Sequence, residues 1–258
     1  MAIQGPEKCH WPDDAQGIET LIKRKEIDFM DFGSSRGASI GWGKKMFGGK
    51  RGLGIDISEK KIEEARNAGF DAIRCDIDQL PARELVRYTT MVHFLEHVDG
   101  NARALRFLKK ACQISREFVF IRQPYFDADG LLFREGLKLF WSDWTAHPNP
   151  ITTLQFFIML RTLKNAGIVD TYSIHAKGQI LDSDHEAVHP ISSRFNSHQY
   201  DSGRHPPKSS AIELTYPVFK ETVVIAGKGK LDHAGISERY GVDVTIVDEK
   251  GKFCGRFS

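Results

Sequence analysis

Four cysteines among 258 residues (Cys9, Cys75, Cys112 and Cys254), with no C-x-x-C pair, exclude a zinc knuckle, a dithiol redox motif and a disulfide framework. Net charge is almost absent as well. Thirty-six Lys and Arg stand against 34 Asp and Glu, a balance of +2, so no broad field exists to draw in nucleic acid or an anionic membrane. No apolar run approaches the ~20 residues that cross a bilayer, and the first twenty residues hold acids and two prolines instead of a signal-peptide core. A soluble protein of a reducing cytoplasm is the expectation. What remains is globular in composition, 41% hydrophobic and 27% charged, in a length that suits one α/β domain with insertions.

The first half alternates short β-rich runs with amphipathic stretches, the pattern of a sheet with helices on both faces. Strands are predicted at Ile27–Phe32, Gly52–Ile57, Asp71–Cys75, Tyr88–Phe94 and Glu117–Ile121. Ser58–Ala68 reads as a helix capped by Ser58. Asn101–Ile114 repeats Ala104, Leu105, Leu108, Ala111 and Cys112 at three- and four-residue spacing, one buried stripe. Thr152–Ala166 is predicted as a helix with Thr152 as cap and Gly167 as stop, followed by strands at Ile168–Ile180 and Phe219–Ala226. Asp182–Ser210, polar and holding four histidines, reads as a loop or mobile lid. The spacing thus predicts a domain over 1–230 with a polar insertion near 182–210. A C-terminal extension over 231–258 should form a hairpin of Val242–Asp248 against Lys252–Phe257.

Chemistry gathers where strands end. Asp31-Phe32-Gly33-Ser34-Ser35-Arg36-Gly37 follows the first strand, and small residues there let backbone N–H groups approach a polar ligand at a helix start. The dinucleotide fingerprint G-x-G-x-x-G/A fits only in part, with Ser35 at the second glycine and Ala38 at the third. Asp56 ends the second strand, where a carboxylate can accept ribose hydroxyls. At the end of the third, the Asp76 carboxylate suits an adenine amino group and the Ile77 backbone a ring nitrogen. His93-Phe94-Leu95-Glu96-His97 ends the fourth.

These segments, together with Gly54-Ile55-Asp56-Ile57-Ser58, Cys75-Asp76-Ile77-Asp78-Gln79-Leu80-Pro81 and Phe94-Leu95-Glu96-His97-Val98, resemble the ordered motifs of class I S-adenosylmethionine-dependent methyltransferases. The likeness covers the first half in register and departs at Ser35, where glycine is usual. It implies a Rossmann-like α/β fold with a seven-stranded, mostly parallel sheet whose last strand is antiparallel. It also implies an S-adenosylmethionine site built from Asp31, Gly33, Ser34, Ser35, Gly37, Asp56, Ile57, Asp76, Ile77 and His93.

A hydroxyl acceptor must lose a proton, and His93, His97 and His147, with Glu96 and Asp143, are the candidate bases. Glu96 and His97 have a second reading, as residues that cap the following helix or orient its loop. If that stretch is helical, His93, Glu96 and His97 share a face. The arrangement then resembles metal-dependent O-methyltransferases acting on small-RNA termini or quinone precursors, with a carboxylate-x-x-Glu-His motif. His93 replaces their first carboxylate, so a divalent metal is a possibility and not the expectation. His185-Glu186-Ala187-Val188-His189 matches H-E-x-x-H, but Pro190 follows at once, which excludes the long helix that a zinc protease uses. A lid histidine touching substrate is the better reading. Two roles stand for the aromatic segment Tyr125–Trp144: stacking on a planar ligand, or packing a subdomain onto the sheet. Lys44, Lys45, Lys50 and Arg51 read as a solvated basic face, so nucleic acid is unsupported.

The expected function is methyl transfer to a small molecule or glycan, most naturally at oxygen. The rivals are an NAD-dependent oxidoreductase and a noncatalytic cofactor-binding protein.

Overall fold

A computed structural model describes residues 15–194, 199–208 and 212–254. Cys9, His198 and the last residues of the expected terminal hairpin lie outside that set.

The strands are short because turn residues bound each apolar run. β1 (Phe29–Phe32), β2 (Gly52–Asp56), β3 (Asp71–Arg74), β4 (Val86–Val92) and β5 (Ser115–Pro124) pair in parallel. β7 (Thr171–Asp182), β9 (Glu213–Gly227) and β10 (Val244–Val247) complete one sheet of order β3-β2-β1-β4-β5-β9-β7-β10. β9 is antiparallel to both β5 and β7, and β10 is antiparallel to β7. The sheet therefore has eight strands, not the seven that the resemblance implies. The eighth arises because Val244–Val247 takes the free edge of β7, which buries Ile246 and Val247. The return strand of the expected hairpin contributes one bridge, Val247 to Phe253.

Period-two alternation divides the core. Met30 and Phe32 face α1 (Ala15–Lys25), α4 (Gly100–Ile114) and α6 (Thr153–Asn165), joining Leu21, Leu108 and Leu160. Phe29, Tyr88 and Phe120 face α2 (Ala38–Phe47) and α7 (His233–Tyr240), packing with Ile40, Phe47 and Tyr240. Ile62 and Ala65 of α3 (Glu59–Asn67) form a smaller cluster. Full burial stabilises each large apolar side chain by about 1.5–3 kcal/mol. Helix ends follow sequence chemistry. Ser58 caps α3, and Thr152 forms a capping box with Gln155 at the start of α6. Among the described residues no helix is long and apolar enough to cross a membrane.

The aromatic segment after β5 forms α5 (Asp129–Arg134) and β6 (Leu137–Leu139). β6 pairs with β8 (Val188–Pro190), which belongs to the polar insertion. Apolar packing thus dominates this segment, with Leu132, Leu139 and Trp141 buried. His185–His189 runs through a turn into β8, so its histidines lack helical spacing, and His189 is fully buried.

Candidate functional site

Two cavities open at the carboxyl ends of the parallel strands, where polar loops of an α/β sheet converge. The first begins at the turn from β1 to α2. Gly33, Ser35 and Gly37 all hold left-handed backbone, at φ of 71°, 49° and 91°. Ser35 adopts this conformation despite its side chain because its N–H donates to Asp56 Oδ2 at 3.0 Å. The departure from glycine is accommodated by one directed hydrogen bond.

Asp31 lies beneath this turn, fully buried, and accepts from Thr90 Oγ1 at 2.6 Å and from Ser39 Oγ. Burial outweighs those hydrogen bonds and pushes its carboxyl up to about 6. Asp31, Ser34, Ser35 and Gly37 shape the turn instead of lining the cavity. Their polar groups are spent within the loop or buried under it.

The first cavity, about 180 Å³, is walled by Gly33, Asp56, Ile57, Asp76, Ile77 and Phe94, with Arg103 at one side. Asp56 Oδ1 accepts the N–H of Ser58 at 2.9 Å, so both its oxygens are oriented and each retains a lone pair. Asp76 Oδ1 accepts the N–H of Asp78, while Oδ2 lies 3.5 Å from Arg103 Nη2. Arg103 also lies over the Phe107 ring, 5.2 Å from its centroid. Ile57 leaves 66% of its surface exposed beside these acids, an apolar platform next to hydrogen-bond acceptors.

The second cavity, about 530 Å³, lies within the range of small-molecule sites, about 300–1,000 Å³. Its floor carries His93, Glu96, His97 and His147. Phe140 and Trp141 supply an aromatic wall, and Glu186, Lys220 and Glu221 a charged one. His97 lines both cavities and marks their junction. Asn149 brings His147 there: its Nδ2 donates to Leu95 O at 3.2 Å and its N–H to Glu96 O at 3.2 Å. The rings of His97 and His147 lie 4.8 Å apart. Each donates through Nδ1 to a backbone carbonyl, Ala146 O at 3.0 Å and Trp141 O at 2.6 Å respectively. That leaves Nε2 of each ring as the nitrogen with a lone pair in the neutral imidazole.

His93 differs. It has left-handed backbone at φ 50°, with Nδ1 3.5 Å from Glu96 Oε1 and Nε2 3.7 Å from Glu221 Oε1. Burial opposes its charge, but the two carboxylates prevail and raise it to about 9. It is a cation at neutral pH, which removes it from the candidate bases, and it lines the second cavity, not the first. Glu221 is held below the usual carboxylate range by His93 and Arg122, against its burial, and accepts from the Tyr240 hydroxyl. Asp143 is buried and caps the turn at Thr145 and Ala146, away from both cavities.

Sequence reading missed Arg103, Glu186, Lys220 and Glu221. Arg103 stands outside the apolar stripe of α4 and carries no motif, and the other three reach the site only through tertiary folding.

No family model matches the chain, and no curated protein matches it either. Solved structures do. A SAM-dependent methyltransferase from Archaeoglobus fulgidus superposes with TM-score 0.52 at 16% identity, over 83% of this chain and 95% of that one. Magnesium protoporphyrin IX methyltransferase from Synechocystis PCC 6803, with bound SAH, gives 0.46 at 12% identity, over 83% and 82% of the respective chains. A possible histamine N-methyltransferase from Thermotoga maritima gives 0.48 at 15%, over 82% and 87%. The fold is that of class I SAM-dependent methyltransferases.

Proposed function

We propose that this protein transfers a methyl group from S-adenosylmethionine to an oxygen of a small molecule or glycan. The observation that carries this reading is the junction at His97, where a cavity suited to a nucleoside meets a larger one suited to an acceptor.

In this reading Asp56 accepts the ribose hydroxyls, Ile57 supports the face of the adenine, and Asp76 and Ile77 meet its edge. Gly33 gives the cofactor's amino-acid portion close approach to the backbone. Methyl transfer from a sulfonium is an in-line displacement: the acceptor oxygen forms the new C–O bond as the C–S bond breaks, and S-adenosylhomocysteine leaves with the electron pair. Alignment and exclusion of water are the protein's main contributions. The acceptor proton passes to Nε2 of His97 or His147, whose rings lie side by side at the junction. His93 stays charged and positions Glu96 and Glu221.

Calorimetry with S-adenosylhomocysteine and, separately, with a nicotinamide dinucleotide tests the cofactor. Binding of the former and not the latter is expected, and the reverse would establish an oxidoreductase. Transfer of a labelled methyl group across a panel of hydroxylated small molecules and glycans tests the reaction. Cofactor binding with no transfer to any member would favour a noncatalytic binding protein.

A further inference from the structure

We propose that Arg103 selects the base of the cofactor, its guanidinium donating to N7 of the adenine beside the Asp76 carboxylate that accepts from the N6 amino group. The inference rests on the first cavity holding S-adenosylmethionine, and it adds a contact that none of the sequence motifs supplies.

Arg103 is the fourth residue of α4 and lines the cavity together with Asp76. Local packing aims it there. The guanidinium carbon stands 5.2 Å from the centroid of the Phe107 ring, one helical turn on, and Phe107 is itself buried and stacked on Phe94 at 5.8 Å. A guanidinium lying on a packed ring has a fixed direction, so little freedom is lost when a ligand meets it. The helix itself does not call for a cation at this point. Its start is the positive end of the helix dipole, and the first turn of α4 has no acidic side chain to offset one.

The hydrogen-bonding capacity of Arg103 is mostly unspent. Nη2 reaches Asp76 Oδ2 at 3.5 Å, the outer limit of a hydrogen bond, and both side chains are more than a third exposed. Such a pair stabilises a fold little. Nε is buried and has no hydrogen-bond partner among the described residues. The charged fork at the cavity wall therefore keeps donors for a guest.

Adenine has the complementary edge. It presents the N6 amino group as a donor next to N7 as an acceptor, so a carboxylate and a guanidinium side by side match both atoms. With Asp76 on N6 and the Ile77 backbone on N1, N7 is the remaining acceptor next to N6, and Arg103 is the donor next to Asp76. A guanine or hypoxanthine base would turn O6, an acceptor, toward the Asp76 carboxylate, so the pair also discriminates against those bases.

Calorimetry of the full-length protein with S-adenosylhomocysteine and with its 7-deaza analogue, in which a C–H replaces N7, measures the contact. The unaltered protein should bind the analogue about tenfold more weakly, the worth of a hydrogen bond from a charged donor. Arg103→Met should bind S-adenosylhomocysteine about tenfold more weakly and bind the two ligands equally, within about twofold. Arg106 provides the control. It is exposed, pairs with Asp78 and does not line the cavity, so Arg106→Met should keep the full preference for the ligand with N7. A merely structural role for Arg103 would lower affinity for both ligands alike and leave that preference intact. Equal binding of the two ligands by the unaltered protein, a comparison that needs no variant to fold, would overturn the proposal, as would a preference that survives in Arg103→Met. Binding of neither ligand by the unaltered protein would sink the methyltransferase reading and this contact with it.

Discussion

Gly33 and Phe94 are in such close contact that a Cβ added to Gly33 would stand 2.1 Å from Cδ2 of the Phe94 ring. Gly33 also has φ +71°, so a side chain there meets strain as well as collision. Gly33→Ala should cost about 1–3 kcal/mol of stability and, by pushing Phe94 into the first cavity, weaken S-adenosylhomocysteine binding more than tenfold. Chemical denaturation and calorimetry measure the two effects. Unchanged affinity would show that Phe94 yields freely and does not define the cavity wall.

Asp56 is held by two backbone donors, Ser35 N–H and Ser58 N–H. Asp56→Ala removes the proposed ribose acceptor and its support for the turn, so cofactor affinity should fall by ~10–100-fold, the worth of hydrogen bonds to a charged group. Asp78 serves as the control. It is exposed, lies 3.6 Å from Arg106 and does not line the cavity, so Asp78→Ala should leave affinity intact. Equal effects at both positions would defeat the ribose assignment.

Ile57 allows affinity to be separated from folding. Its side chain is exposed, so Ile57→Ala should change stability by less than about 0.5 kcal/mol. If an adenine ring covers it, affinity should drop about fivefold, the equivalent of roughly 1 kcal/mol of apolar contact. Isothermal titration and thermal melting of the same sample measure both. No loss of affinity would place the ring elsewhere.

The strands and the cofactor side of the site were legible because local chemistry dictates them. β1, β2 and β3 end at Phe32, Asp56 and Arg74, each within two residues of the predicted stop, and the acids and glycines that follow are themselves the signal. Ser58 and Thr152 announced their helices by cap chemistry. The acceptor side was less legible. Glu221 meets His93 only because β9 enters the sheet beside β5, a pairing that joins Arg122 to Val223 across more than a hundred residues. The placement of His147 depends on Asn149 binding the Leu95 and Glu96 carbonyls, which no periodicity reveals. Helix α7 was missed altogether, since its polar sequence lacks a continuous apolar stripe.

A buried chain of hydrogen bonds ties the C-terminal segment to the sheet and gives it a pH dependence. His175 Nδ1 meets Thr245 Oγ1 at 3.0 Å and its Nε2 meets Ser173 Oγ at 2.8 Å. The same hydroxyl meets His233 Nδ1 at 2.7 Å, and His233 Nε2 meets Thr171 Oγ1 at 2.9 Å. Burial, with His233 nearby, pushes His175 down to about 4. The unfolded chain takes up this proton near pH 6.5 and the folded one resists it until about 4, so its contribution is complete above 6.5 and is lost as pH falls toward 4. A shift of this size is worth about 3 kcal/mol. Asp31, raised to about 6, acts in the opposite sense over part of the same range, so the unaltered protein alone does not isolate the effect. The comparison with His175→Gln does. Denaturation between pH 4 and 7 should show a shallower loss of stability on acidification in the variant. Hydrogen exchange, corrected for its intrinsic pH dependence, should show α7 and β10 opening before β1 and β4 in the unaltered protein. Identical pH slopes in the two proteins would assign the titration to a group other than His175.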